Sequence, residues 1–143
     1  MPDDTCIAIE RDVDIVTARQ RGRELAAATG FSTTDQTMIA LAISEMARNI
    51  ISYAQRGKLT LSPLAEAGRR GILIVACDGG PGIPDIELAM QDGYSTGKSL
   101  GVGLPGTKRV MDDFELVSAP GAGTTVTMKK WLRGPTQRGP DTR

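Results

Sequence analysis

Asp78 is the side chain best placed to read a ligand. The run Ile72-Leu73-Ile74-Val75-Ala76-Cys77 is apolar and rich in β-branched residues, and it stops on Asp78-Gly79-Gly80-Pro81-Gly82. A buried strand accounts for the apolar half but does not require the carboxylate. A charge held at a strand end over a glycine turn is built like a ligand site, because glycine lets backbone approach a bound molecule with no Cβ in the way. A tight turn with an exposed aspartate is the plain alternative.

A second pair stands upstream. Ile39, Ile43, Met46 and Ile50 recur at helical spacing as a core stripe, and beside them runs Leu41, Glu45, Asn49 and Ser52. Glu45 and Asn49 are i,i+4 neighbours and project from one face, a turn apart. A carboxylate there can accept a proton or orient a water, and an amide oxygen one turn on is a hard ligand suited to Mg²⁺. A solvated polar stripe with Arg48 paired to Glu45 fits the same spacing. Downstream, Gly101-Val102-Gly103 sits where a loop meets a helix N-terminus, a place where free N–H groups favour phosphate. Gly121-Ala122-Gly123-Thr124-Thr125 leads into a strand and serves equally as a hairpin turn.

Two look-alikes are set aside. Gly101 to Gly106 matches G-x-G-x-x-G, but it follows a loop and no βαβ unit surrounds it. Gly97-Lys98-Ser99 resembles the end of a P-loop, but the leading glycine would fall on Asp92.

The elements that must position these residues follow from pattern. Thr5–Ile9 reads as a strand. A helix capped by Asp12 runs to about Thr29 and closes on Gly30. Ser32, Thr33 and Thr34 offer caps for a second helix, from Asp35 to about Gln55. Lys58–Ser62 alternates as a strand, and Gly68-Arg69-Arg70-Gly71 reads as the turn into the central strand. A short helix is expected from Pro84 through Met90, a mobile loop over 91–103, a helix over Leu104–Asp113 and strands over Phe114–Ser118 and Thr124–Trp131. This order fits helices on one face of a mixed sheet. Residues 1–132 read as a single domain and 133–143 as a frayed tail.

Composition narrows the chemistry. The chain has 143 residues, 17 basic against 17 acidic, which points to neither nucleic acid nor an acidic membrane surface. It has no histidine, which removes a Ser-His-Asp triad, a histidine-ligated metal and histidine autophosphorylation. Cys6 and Cys77 are lone, and Cys77 reads as a small core residue, so a reducing compartment is expected. With no apolar run of membrane length and no signal-peptide pattern, the expected location is cytoplasmic.

Taken in order, Glu45-x-x-x-Asn49, Asp78-x-Gly80-x-Gly82, Gly101-x-Gly103 and Gly123-Thr124-Thr125 resemble the N, G1, G2 and G3 boxes of the Bergerat-fold ATPases, the superfamily of gyrase, Hsp90, histidine kinases and MutL. Within it, Asp14–Gln20, Ser44–Ile50, Gly80–Ile86, Gly103–Phe114 and Lys129–Leu132 are similar to the stressosome switch serine/threonine kinases of the RsbT type. Gly79 departs from the family, where a larger polar residue is usual, and so do Gly106 and Thr107. The resemblance implies an α+β two-layer sandwich whose mixed, mostly antiparallel sheet carries helices on one face. It implies ATP and Mg²⁺ as cofactors. Asp78 would accept the adenine amino group with Thr125 in support, and Gly80 and Gly82 would lie against the nucleoside. Gly101 and Gly103 would hold phosphates, Lys98 would contact the γ-phosphate, Asn49 would ligate Mg²⁺ and Glu45 would be the general base. The implied activity is phosphorylation of STAS-domain stressosome proteins, with binding and activation of a PP2C-type phosphatase once the kinase is released. An anti-sigma factor kinase that sequesters a sigma subunit is the alternative, and a nucleotide-binding module without turnover is a third.

Overall fold

The computed structural model describes residues 4–80, 103–119, 121 and 123–133. The elements run β1 (Thr5–Ile9), α1 (Asp12–Thr29), α2 (Thr33–Ala54), β2 (Gly57–Glu66), β3 (Arg69–Asp78), α3 (Gly103–Val110), β4 (Asp113–Ala119) and β5 (Gly123–Trp131). The strands form one sheet in the order β1-β2-β3-β5-β4. Every pairing in it is antiparallel, so the expected mixed sheet is antiparallel throughout the described residues. The segment Pro84–Met90, the loop 91–102 and the tail from 134 lie outside the described residues.

Alternation along the strands sends one side chain in two toward the helices. Ile7 and Ile9 of β1, Leu59 and Leu61 of β2, Ile72, Ile74 and Ala76 of β3, and Val126 and Met128 of β5 are buried on that face. Ile15, Ala18 and Ala26 of α1, and Ile39, Ile43, Met46 and Ile50 of α2, meet them in a single core. Burying one such aliphatic side chain stabilises by roughly 1.5–3 kcal/mol, so this layer outweighs any single polar contact in the fold. The central strand is long because both its neighbours pair along it, β2 from Gly57 to Glu66 and β5 from Thr124 to Trp131.

Several expectations change at the element ends. Arg11, not Asp12, is the N-cap of α1, and Asp14 closes the turn by accepting from the Glu10 and Arg11 N–H groups, each at 2.9 Å. Of the three hydroxyls offered for α2, Ser32 caps it, accepting from the Asp35 N–H at 3.1 Å. Strand β2 continues past Ser62 because Pro63 does not disrupt it: β1 reaches only as far as Leu61, so Pro63 lies where β2 has no described partner on that side. The hairpin turn sits one step earlier than Gly68–Gly71. Ala67 and Gly68 both take positive φ, 51° and 81°, as a two-residue type I′ loop requires, and Arg69 already pairs with Glu66. Cys77 is not a core residue. It points to the face away from the helices, where it accepts a weak hydrogen bond from the Thr125 hydroxyl at 3.6 Å.

Two backbone N–H donors hold the Asp14 carboxyl below its ordinary value. A depressed folded pKa means that this stabilisation is present above the unfolded value and is lost as pH falls through the folded one. Asp14→Asn is therefore expected to lower the melting temperature at neutral pH and to have a smaller effect in acid, as pH falls through the lowered Asp14 pKa, read by thermal melts across pH.

Candidate functional site

The described pocket lies between the C-terminal half of α2 and the ends of β3 and β5. Met46, Asn49, Ile50 and Tyr53 form its helix wall, and Ala76, Asp78, Thr124 and Val126 form its sheet wall. The helix wall is the i, i+3, i+4, i+7 row of a single face. The sheet wall is two alternating pairs from neighbouring strands. Asp78 lies directly opposite Thr124 and Ala76 opposite Val126 in the β3–β5 register. The result is an apolar slot with a carboxylate and a hydroxyl at one end and an amide along its side.

Asp78 is held in place by its own turn. Its Oδ1 accepts the Gly80 N–H at 2.9 Å, and among the described residues no donor is assigned to Oδ2. A half-buried carboxylate in an apolar slot is a strong acceptor for a ligand N–H. Gly80 owes its identity to packing as well as to any ligand. A Cβ there would stand 2.5 Å from the Ala54 Cβ and 2.8 Å from its Cα, so the glycine lets the end of β3 close onto the end of α2. Gly123 has φ 81°, and a Cβ on it would run into the Asp78 carbonyl oxygen. Gly79, where a larger residue is usual in the resembling family, has open space around it among the described residues.

Thr125 is not brought to the pocket. It pairs with Cys77 and shares the outward face with it, so Thr124, one residue earlier, is the hydroxyl beside Asp78. Tyr53 lines the pocket and was not singled out from sequence. It continues the row Met46, Ile50 by three more residues, which is the signal that could have found it.

Glu45 and Asn49 do occupy one side of α2, but they are not alike. Glu45 is fully buried and Asn49 half-buried, while Leu41 at the start of the same row is exposed. The row is therefore not a solvated stripe. Glu45 Oε2 accepts from Arg48 Nη1 at 2.8 Å, an i,i+3 ion pair in which Arg48 keeps about a quarter of its surface (24%) and Glu45 almost none (1%). Gly103 opens α3, whereas Gly82, Lys98 and Gly101 lie outside the described residues. Among the described residues no group of three or more His, Cys, Asp or Glu could cage a metal. A cation here would take Asn49 together with ligand oxygens and water, a coordination that suits Mg²⁺.

Comparison with known proteins identifies the family. Residues 10–130 match the histidine kinase-like ATPase domain. The chain belongs to that family. Use of ATP follows from membership. The chain is 51% identical to the serine/threonine-protein kinase RsbT of Bacillus subtilis, over 93% of its own length and all of the relative's. It is 35% identical to an anti-sigma F factor of a Thermoanaerobacter species, over 66% of this chain and 68% of that protein. In fold it is similar to the crystal structure of the RsbU and RsbW domains of a Mycobacterium tuberculosis protein, with TM-score 0.57 and 20% identity. That likeness covers 91% of this chain, which spans a third (33%) of the larger one. The chain is thus a serine/threonine kinase of the partner-switching kind within the histidine kinase-like ATPase family. No described helix is long and apolar enough to cross a membrane.

Because Gly123 combines a left-handed backbone with close approach to Asp78, Gly123→Ala is expected to destabilise the fold by roughly 2–3 kcal/mol, read by urea denaturation.

Proposed function

We propose that this ATPase-family kinase binds Mg-ATP in the slot between α2 and β3 and transfers the γ-phosphate to a serine or threonine of a STAS-domain stressosome protein. When released, it binds and activates a PP2C-type phosphatase, and it acts in the cytoplasm. The observation that carries the reading is Asp78, a carboxylate whose Oδ2 takes no bond among the described residues, at the end of an apolar slot, in a chain 51% identical to a serine/threonine kinase over 93% of its length.

Each residue then has a task its chemistry supports. Asp78 accepts the adenine amino group, which selects against guanine, whose carbonyl would face the carboxylate. Thr124 takes the supporting place expected of Thr125, because it shares the Asp78 face. Met46, Ile50, Ala76 and Val126 supply the apolar walls. Asn49 offers its amide oxygen to Mg²⁺, which when bound neutralises charge on the phosphates. The N–H of Gly103, with Gly101 and Lys98, holds phosphate oxygens, and Gly82 lies against the nucleoside. Glu45 accepts the proton of the substrate hydroxyl as its oxygen bonds to the γ-phosphorus and ADP leaves. Phosphoryl transfer asks mainly for position and charge neutralisation, so this short inventory is sufficient.

A second reading, an anti-sigma kinase, has the 35% identity to anti-sigma F factors behind it. The fuller and stronger identity to the serine/threonine-protein kinase RsbT favours the first.

Radiolabelled ATP with a STAS-domain stressosome protein tests the activity. Label on a serine or threonine is expected, and a stable sigma-factor complex in its place would overturn the reading. Glu45→Gln is expected to lower transfer by roughly 10²–10⁴-fold while ATP still binds. Asp78→Asn is expected to weaken ATP binding by about 1.5–3 kcal/mol in calorimetry. Thr124→Val should weaken it by less, about 0.5–1.5 kcal/mol. Thr125→Val should leave affinity unchanged, and the reverse order for the two threonines would refute the assigned face.

A further inference from the structure

We infer that Arg48 is a positioning residue for phosphoryl transfer, acting by fixing the carboxylate of Glu45. The inference rests on the proposed role of Glu45 as the general base. Glu45 is fully buried, and a buried carboxylate needs both a counter-charge and defined hydrogen bonds. Arg48 supplies both from one turn along the same helix, with Nη1 on Oε2 at 2.8 Å. The contact is to one named oxygen, so it holds that oxygen in place as well as supplying its counter-charge.

Stability alone does not account for the pair. Apolar residues of similar volume commonly replace a buried ion pair with no loss, and the neighbouring helix positions Met46, Ala47 and Ile50 are apolar and buried. A general base, by contrast, must meet its proton within a few tenths of an ångström, and small misplacements are costly.

The guanidinium also has a second environment. Its side chain lines an open groove between α1 and α2, together with Asp12, Ile15, Arg19, Ile51 and Gln55. Arg48 is thus anchored between a wet groove and a dry carboxylate. Its long stem spans the two, while the planar head makes the directed bond that an ammonium makes less rigidly.

The test uses the full chain, Mg-ATP and a STAS-domain substrate. Arg48→Met is expected to lower kcat by roughly 10²-fold with the KM for ATP nearly unchanged, because Asp78 and Asn49 are untouched. Arg48→Lys should recover part of the loss, and Arg48→Gln serves where the Met variant does not fold. In a Glu45→Gln background, Arg48→Met should cost nothing further, since its effect passes through Glu45. A wild-type kcat in folded Arg48→Met, a loss carried by KM alone, or a loss that persists in full in the Glu45→Gln background would each overturn the inference. If Glu45→Gln itself keeps wild-type turnover, the base assignment fails instead, whatever Arg48 does.

Discussion

The site depends on how closely the end of β3 approaches the last turns of α2. Gly80 meets Ala54 with no room for a methyl group, and the Gly80 N–H turns back to hold Asp78. That contact brings strand and helix together at the depth where Asn49 and Tyr53 face Asp78. A Cβ at position 80 would lever the two walls apart, and every residue pair across the slot would separate at once. The aliphatic core fixes the angle of α2 on the sheet, but this last contact fixes the width of the pocket. Gly123 does the same on the other side of Asp78, so the carboxylate is set by backbone approach from two directions.

The same helix carries an opposite kind of constraint. Glu45 is a charge taken fully out of water, and each such ion costs several kcal/mol before its partners are counted. An exposed i,i+3 pair stabilises by a few tenths of a kcal/mol, far too little to offset that cost. The Glu45–Arg48 pair belongs to the buried class on one side and to the half-exposed class on the other. Removing Arg48 would take away the counter-charge that this ion pair supplies. The pair is therefore better understood as something the fold tolerates at its site than as something that holds the fold together.

What was legible in the sequence follows the strength of each period. Ile39, Ile43, Met46 and Ile50 repeat at 3.6 and lie where that period puts them, and Glu45 and Asn49 inherit their place from it. Asp78 was legible because a buried apolar strand has no need of a charge at its end, least of all one set over glycines. Thr125 was misplaced for the opposite reason. Along Gly123-Thr124-Thr125 either threonine fits a strand, and only the register against β3 decides which one faces the helices. A slip of one residue exchanges the two faces, and register is a property of two strands. The strand expected over Lys58–Ser62 runs on through Pro63 for a similar reason, since tolerance of that proline depends on how far β1 extends. The burial of Glu45 was not legible at all: spacing gives a face, but not how deep the neighbouring elements cover it.

The order of residues along α2 carries the last step. Tyr53 and Asn49 line the slot with Asp78, and Glu45 lies farther toward the helix N-terminus. Eight residues separate Tyr53 from Glu45, about 12 Å at 1.5 Å per residue, and Asn49 stands midway. On the proposed reading, one rigid helix then spaces the base-binding end, the amide that would hold the cation and the proton acceptor along the length of a bound nucleotide. A loop could hold any one of these groups, but it could not hold their separations. An α-helix can, because its rise is fixed by its own hydrogen bonds, and Gly80 at one end and the Arg48 bond near the other keep the first and last of the three groups in place.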